Sequence, residues 1–343
     1  SDRRKCKSKE AIWTVEYEGG DLNVYNELTW VVNSSTYDQK AAPTKNLVRM
    51  FLNLDGTPAK PDVSVTKEFD NKDWRLFNTV HGPGHLYTTL AGESVPKKLN
   101  FTYTFSGYQF RKWSQEKEEN YSKGRNDNDI PILRYAEVLL NYAEAKAELG
   151  QADQSVIDET VNVIRARVGM PGLDVAKANA APDSFLSSYY TDKHLEGADK
   201  GLILEIRRER TVELVNEGFR LWDMLRWHEG QQLCPASNTL GPGFIGCWFP
   251  GLGEYDMNND GIPDLCIYTG TKPSTDCENT LDVSEGKENT LSEGTSGYLI
   301  QFKDQTYKWE EKDYLYPIPV KQIQIYPKDE ATGESVLTQN PGY

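Results

Sequence analysis

The strongest repeat of apolar positions lies between residues 132 and 149. Alanine and leucine recur there at three- and four-residue spacing, as on one face of a helix, and Gly150 suits the position just past a helix end. A second helix is predicted over about residues 153–168, again with apolar residues on one face. Together they form a helical hairpin that resembles a tetratricopeptide unit, which needs partner helices to cover its apolar face.

Shorter patterns predict further elements on both sides of this hairpin. Two more helices are predicted over about residues 201–216 and 220–227, and a short one follows Thr44. Residues 11–17 and 298–302 alternate apolar and polar side chains, so each predicts a strand. The sequence pattern therefore predicts a mainly α fold with irregular β and loop regions.

The changes in pattern divide the chain into four regions. Residues 1–130 form a strand and loop region that carries candidate ligand-binding loops, and residues 131–230 form the tetratricopeptide-like helical scaffold. Residues 231–297 are rich in Gly, Asn, Thr and Pro, hold four cysteines and show little helical periodicity, so they are interpreted as a loop insertion. Residues 298–343 are predicted to form an ordered C-terminal segment.

Charge excludes some classes of partner. The 343 residues include 38 Lys and Arg against 52 Asp and Glu, which gives a net charge of −14. Phosphate affinity comes from Lys and Arg, so this acidity argues against nucleic-acid binding and against attraction to anionic lipid. No apolar run approaches the roughly 18 residues that a membrane-spanning helix needs.

The four cysteines of the insertion suggest an oxidising compartment. Two disulfides are expected there, with Cys234–Cys247 and Cys266–Cys277 as the simplest of three pairings that the sequence leaves open. Cys6 is left over, and residues 1–10 contain no apolar segment of a signal peptide. An exported protein without an export signal is expected to be a mature form or a fragment.

Several motifs together resemble one known family. They are Ile-Leu-Arg-Tyr-Ala-Glu-Val-Leu-Leu-Asn-Tyr-Ala-Glu-Ala at 132–145, Ile-Arg-Arg-Glu-Arg at 206–210, Glu-Gly at 217–218, Arg-Leu-Trp-Asp at 220–223, Leu-Tyr-Pro-Ile-Pro at 315–319 and Gln-Asn-Pro-Gly-Tyr at 339–343. Their order and spacing are similar to those of the SusD/RagB family of outer-membrane nutrient-binding lipoproteins, apart from residues 231–297. The resemblance implies a SusD-like α-α superhelix, of which this chain would be the C-terminal portion.

The resemblance also implies a function. Such a protein is a non-enzymatic surface protein that captures an oligosaccharide or polysaccharide and delivers it to a TonB-dependent, SusC-like outer-membrane transporter. The protein would lie at the cell surface, where a lipidated N-terminal cysteine, which this chain lacks, would anchor it. A peptide-binding, RagB-like lid is the first alternative, and a glycoside hydrolase, with two carboxylates facing across a cleft, is the second.

No residue is assigned a catalytic role. Glu205, Glu209 and Glu213 are four residues apart on one helix face and have arginines nearby, so they are expected to pair with guanidinium groups that lock helices together. His81 and His85 have a spacing that suits a metal on a helix, but Pro83 between two glycines prevents that helix.

The sharpest local pattern is a possible calcium loop. Oxygen-bearing side chains fall at positions 1, 3, 5 and 9, Gly261 stands at position 6, and the carbonyl at position 7 adds a ligand. Ile267 replaces the usual glutamate at position 12, so Glu254 or Asp276 would have to complete the shell. The pattern predicts a structural Ca²⁺ ion, with a plain Asx-rich turn as the alternative. The predicted ligands are Asp256, Asn258, Asp260, Ile262 and Asp264.

Aromatic side chains provide the candidate ligand-binding residues, because sugar rings stack on aromatic planes while nearby polar groups bind their hydroxyls. Tyr25, Trp30 and Tyr37 lie beside asparagines in the loop after the first strand, and Trp74 lies in a weaker family-like segment. Core packing is the alternative for Trp30 and Trp74. Four other tryptophans are assigned to scaffold packing: Trp13, Trp113, Trp222 and Trp227.

Overall fold

The computed structural model describes residues 8–33, 41–101, 103–191, 195, 197–234 and 244–343. Its α-helices are α1 (Leu28–Asn33), α2 (Lys45–Met50), α3 (Trp74–Thr79), α4 (Tyr135–Glu148), α5 (Gln154–Glu159), α6 (Val161–Arg167), α7 (Val175–Ala180), α8 (Ser184–Tyr189), α9 (Lys200–Glu213), α10 (Arg220–Arg226) and α11 (Val320–Ile325). Its strands are β1 (Ala11–Val15), β2 (Leu86–Thr88), β3 (Ser94–Pro96), β4 (Ile130–Arg134), β5 (Phe244–Phe249), β6 (Gly253–Tyr255), β7 (Leu265–Tyr268), β8 (Asn279–Asp282), β9 (Thr290–Leu291) and β10 (Gly297–Gln301). The predicted mainly α fold with irregular β and loop regions is confirmed.

The start of the first long helix differs from the prediction. Residues 130–134 form β4, which pairs antiparallel with β1, so that Ala11 faces Arg134 and Val15 faces Ile130. Pro131 has no backbone N–H to donate, and this two-stranded ribbon tolerates it because each strand is an edge. Helix α4 therefore begins only at Tyr135.

The helical hairpin is present with one interruption. The predicted second helix is divided into α5 and α6 at Thr160, whose backbone angles are φ −124° and ψ −89°. The Thr160 hydroxyl donates to the Val156 carbonyl at 2.5 Å, so a local side-chain bond forms at the break. The hairpin packs on α9 around buried apolar residues of all four helices, among them Leu140, Ala143, Ile157, Val161 and Leu202.

The region 231–297 is not a plain loop insertion. It holds β5 to β9, and β5 pairs with β10 from the C-terminal segment, with Phe249 opposite Gly297. β7 pairs antiparallel with β6 and parallel with β8. Its buried Cys247, Phe249 and Leu265 join a core shared with α2, α3 and α9. The prediction failed because strands of two to six residues carry little periodicity of their own.

The cysteine prediction is also corrected. Cys234, Cys247, Cys266 and Cys277 are free thiols in the structure, so the two expected disulfides are absent among these described residues. Cys247 is fully buried in the core, and its sulfur packs on Gly107. Apolar burial thus explains this cysteine without a cross-link. Cys6 lies outside the described residues.

Two tryptophans assigned to packing face solvent instead. Trp13 is 62% exposed on the β1–β4 ribbon and Trp222 is 55% exposed on α10, whereas Trp227 is 2% exposed and packs as predicted. Both exposed rings lie on elements with one solvent-facing side, and the sequence does not identify that side. No helix in the described part of the chain is both long and apolar enough to span a membrane.

Candidate ligand-binding site

A polar pocket of about 540 Å³ opens beside the loop that follows β1. The walls come from this loop, from the end of the β2–β3 connection and from residues 115–127. The pocket is lined by Gly19, Tyr25, Leu90, Gln115, Lys117, Glu119, Asn120, Ser122, Arg125 and Asp127. Amide, carboxylate and cationic groups in one concave site can bind a ligand that is rich in hydroxyl groups.

Asparagine and glutamine side chains hold the pocket walls together. The Asn26 side chain donates to the Asn128 carbonyl at 2.8 Å, and its backbone N–H donates to the Asn126 carbonyl at 2.7 Å. Asn126 is fully buried and donates to the Asn120 carbonyl at 2.8 Å, while Gln115 donates to Asp127 at 2.8 Å. These side-chain amides bind backbone groups of an irregular segment, which lacks the hydrogen bonds of a regular strand or helix.

Tyr25 is the predicted site residue that lines the pocket. Its hydroxyl donates to the Gly19 carbonyl at 2.5 Å, and its ring lies so close to Gly19 that a Cβ there would clash with the ring. The absence of a side chain at Gly19 therefore leaves room for the ring. Tyr25 remains partly exposed, so the ring can contact a ligand.

Trp30, a second predicted site residue, does not line the pocket. Trp30 is only 8% exposed on α1, which packs against the 3₁₀ turn Glu118–Tyr121, and the Lys123 ammonium lies 5.4 Å from the centre of its ring. The Trp30 side chain is thus packed in the core and does not present a free face to a ligand. Tyr37 lies outside the described residues.

Sequence reasoning missed an aromatic pair beside the pocket. Tyr87 of β2 and Tyr121 stack with ring centres 6.0 Å apart, and the Lys97 ammonium lies 4.1 Å from the centre of Tyr121. Burial lowers the pKa of Lys97 to about 8, against the opposing effect of the Glu116 carboxylate. The Tyr121 hydroxyl is buried and has no hydrogen-bond partner among the described residues. The two tyrosines come from separate segments, so only the high count of 19 tyrosines hinted at such a pair.

Trp74 forms a second exposed aromatic patch. It begins α3, is 57% exposed and meets Phe77 edge to face at 6.3 Å. Phe77 in turn packs on His85 with ring centres 3.7 Å apart. The Arg111 guanidinium lies 5.4 Å from the centre of Phe77. Arg111 also forms an ion pair with Glu116, so side-chain contacts connect this patch with the residues around the tyrosine pair.

The two histidines of the 81–85 turn are buried next to each other, with ring centres 5.7 Å apart. Burial lowers the pKa of His85 to about 4, with the Arg111 charge adding to the effect, and it lowers that of His81 as well. The Nδ1 atom of His85 accepts from the Gly82 N–H at 2.8 Å. Both rings are therefore neutral at pH 7, and His85 stabilises the turn.

The five predicted metal ligands lie in the loop between β6 and β7. Asp256, Asn258 and Asp260 accept hydrogen bonds from backbone N–H groups of the loop itself. Burial, together with the charges of Asp256 and Asp260, raises the pKa of Asp264 to about 6 against a hydrogen bond from Met257. Within the described ranges, no three or more His, Cys, Asp or Glu side chains are gathered as a metal site.

The carboxylates of α9 pair with arginines, as predicted. Glu209 contacts Arg75 at 2.5 Å and Arg165 at 2.9 Å, and Glu213 contacts Arg167 at 2.8 Å. Burial would raise the pKa of Glu213, but the guanidinium groups of Arg167 and Arg75 outweigh it and lower the pKa to about 2. These carboxylates are therefore charged parts of the scaffold.

A second cavity of about 470 Å³ lies between α2, α9 and α10. Leu47, Met50, Phe219, Leu221 and Leu233 are among its apolar lining residues, and Arg220 and Asp223 contribute charge. Arg220 donates to the hydroxyls of Thr211 and Tyr189 at 2.9 and 3.1 Å. The charged side chains of Arg220 and Asp223 thus already have partners within the protein.

The fold and the site define a helical scaffold that carries a loop-built surface pocket. The chain belongs to the SusD family, whose sequence pattern matches residues 9–343. It is 27% identical to the SusD-like protein P38 of Formosa agariphila over 171 residues. This aligned segment covers 50% of this chain and 29% of that protein.

Solved structures agree with this assignment at the level of the fold. A SusD-like protein from Bacteroides fragilis superposes with a TM-score of 0.59 at 21% identity, over 98% of this chain and 55% of that one. A SusD-like carbohydrate-binding protein from the same species gives 0.57 at 21% identity, over 92% of this chain and 53% of that one. The chain thus spans about half the length of these solved relatives.

Proposed function

We propose that this protein is a non-catalytic glycan-binding protein that captures an oligosaccharide or polysaccharide at the cell surface. Membership of the SusD family over residues 9–343 carries the proposal. A solved relative with the same fold is described as a carbohydrate-binding protein. The captured glycan would pass to a TonB-dependent, SusC-like transporter, and a lipid anchor would hold the protein on the outer membrane.

The polar pocket with its two aromatic flanks is the proposed binding surface. Tyr25 lines the pocket, and the Tyr87–Tyr121 pair lies beside it. Aromatic faces match the flat C–H faces of sugar rings, while Gln115 and Asn120 can exchange hydrogen bonds with hydroxyls. Trp74 would contact a longer chain that leaves the pocket.

The carboxylates of the scaffold support a non-catalytic role. A glycosidase needs two carboxyl groups that face each other across an open cleft. The α9 carboxylates and Glu144 instead contact arginines. In the pocket, the Asp127 carboxylate accepts a hydrogen bond from Gln115 at 2.8 Å, and the Glu119 carboxylate lies 3.9 Å from the Lys117 ammonium. Incubation with a bound glycan should therefore leave its chain length unchanged, as measured by chromatography.

Calorimetry of the full chain against a panel of polysaccharides tests the proposal. Tyr25→Ala should weaken binding about tenfold or more, as expected for loss of an aromatic anchor. Tyr142→Ala is the matched control, because Tyr142 is 47% exposed on helix α4 and does not line the pocket. The two variants should unfold at temperatures close to that of the unmodified chain.

Trp74→Ala, with Trp222→Ala as its exposed control, tests the outer patch. Loss of affinity for long chains but not for short oligosaccharides would place Trp74 at the end of the binding surface. Binding of peptides without any glycan would refute the sugar assignment. Equal glycan affinity of the Tyr25 and Tyr142 variants would refute the pocket assignment.

A further inference from the structure

The loop of residues 256–264 contains a buried carboxylate oxygen that its own fold does not satisfy. Asp264 is 2% exposed, and its Oδ2 accepts from the Met257 N–H at 3.0 Å. Its Oδ1 is buried and has no hydrogen-bond partner among the described residues. Because an unpaired buried carboxylate oxygen is strongly unfavourable, this atom indicates a ligand that the protein chain itself does not provide.

The rest of the loop presents further oxygen atoms on the same tight turn. Asp256 accepts from the Gly261 N–H at 2.7 Å, and Asn258 Oδ1 accepts from the Asp260 N–H at 3.1 Å. Gly261 has φ +88°, which a residue with a Cβ rarely adopts. Each of these oxygens retains a lone pair beyond its hydrogen bond.

We propose that this loop binds one Ca²⁺ ion. The ligands would be side-chain oxygens of Asp256, Asn258, Asp260 and Asp264 and the carbonyl oxygen of Ile262. Five protein oxygens with one or two waters give six or seven ligands, which is within the six to eight that Ca²⁺ takes. Ile267, at the twelfth position, is buried in β7 and contributes nothing, so water takes the place of the usual glutamate.

The nearby Lys98 ammonium does not take the place of the ion. Lys98 interacts electrostatically with Asp260 and Asp264, but its ammonium forms an ion pair with Glu278 at 2.6 Å. Glu254, a candidate extra ligand, accepts from the Thr275 hydroxyl at 2.5 Å. The three aspartates are not gathered around one point, so binding of the ion would draw them together and stiffen the loop.

The loop is joined to the surface around Trp74. The Asn258 carbonyl accepts from the Gly84 N–H at 2.9 Å, in the turn that His85 stabilises. His85 packs on Phe77, which contacts Trp74. Asn279 donates to the carbonyls of Asp264 and Leu99, at 3.2 and 3.0 Å. A bound ion would therefore hold the 81–85 turn in place beneath this patch.

Titration of the chelator-treated full chain with CaCl₂ in a calorimeter tests the site without any glycan. We expect one ion per chain, with a Kd between about 10⁻⁷ and 10⁻³ M, the range of sensor and extracellular calcium sites. Asp264→Asn and Asp260→Asn should each weaken binding about tenfold or more. Asp304→Asn removes the same charge from an exposed position elsewhere and should leave the affinity unchanged.

A second readout separates the site from effects on folding. Ca²⁺ should raise the unfolding temperature of the unmodified chain and of Asp304→Asn. It should raise the unfolding temperature of Asp260→Asn much less. Because the Asp260 side chain is exposed, this substitution can be made without loss of the fold. Ca²⁺ should also slow amide hydrogen exchange at Gly84. The absence of saturable Ca²⁺ binding up to millimolar concentration, or equal affinity of the Asp260 and Asp304 variants, would overturn the proposal.

Discussion

Glu213 is a buried carboxylate at which three ion pairs meet. Its carboxylate contacts Arg75 at 3.2 Å, Arg134 at 3.0 Å and Arg167 at 2.8 Å, and its side chain is 3% exposed. It therefore links α3, β4 and α6 to α9. Planar guanidinium groups suit this role because each offers several donors in a fixed geometry.

Removal of this carboxylate should destabilise the whole chain. Glu213→Gln leaves three guanidinium groups without their shared anion, and loss of one partner from a buried ion pair lowers the free energy of unfolding by about 3–5 kcal/mol. Urea unfolding at pH 7 measures this change. Glu285→Gln, at an exposed position, is the control and should unfold like the unmodified chain.

The same carboxylate predicts an acid-dependent loss of stability. The folded-state pKa of Glu213 is about 2, below the ordinary value of 4.5, so its contribution is complete above pH 4.5 and is lost as pH falls towards 2. The unmodified chain should therefore lose more stability between pH 5 and pH 2.5 than Glu213→Gln does. Parallel losses in both proteins, measured by urea unfolding at each pH, would contradict this role.

At the scale of elements, Gly201 sets the approach of α9 to α7. A Cβ on Gly201 would clash with the backbone carbonyl of Ala178. The contact is reinforced because Asn179 accepts from the Leu202 N–H at 2.8 Å and donates to Asp199 at 3.1 Å. The first turn of α9 can lie against α7 only if this position has no side chain.

Gly201→Ala should therefore separate α7 from α9. The backbone carbonyl cannot move aside as a flexible side chain would, so we expect a loss of about 1–3 kcal/mol or more, although alanine favours helix by itself. Gly251→Ala is the matched control, since a Cβ there meets no atom within 4 Å. Equal unfolding midpoints of the two variants in urea would show that the helices are not in such close contact.

The elements also show which parts of the fold could be predicted from the sequence. Helices α4 and α9 each run for 14 residues, long enough for the apolar period to be recognised. β5 obtains its partner from β10, about 50 residues further along the chain, so no local pattern identifies it. The site divides in the same way. Tyr25 is predicted from its own sequence neighbours, whereas the Tyr87–Tyr121 pair exists only because the fold brings two segments together.

At the scale of the whole molecule, the charge affects which kind of glycan the proposed site could bind. The chain carries a net charge of −14, whereas the pocket holds two cations, Lys117 and Arg125, and two anions, Glu119 and Asp127. The positive and negative charges of the pocket thus cancel, although the molecule as a whole is strongly negative. A neutral polysaccharide feels no net force, while a polyanionic one is repelled before it reaches the pocket.

We therefore expect the affinity for a neutral glycan to change less than about twofold between 50 and 500 mM NaCl, because salt screens only interactions between charges. A sulfated or uronic-acid polymer should bind more weakly, and its affinity should rise with salt as the repulsion is screened. Calorimetry at the two salt concentrations measures both, with Tyr25→Ala as the control that reports binding in the pocket. Tighter binding of a polyanion at low salt would mean that Lys117 and Arg125 dominate the site, and the ligand would then be an acidic glycan.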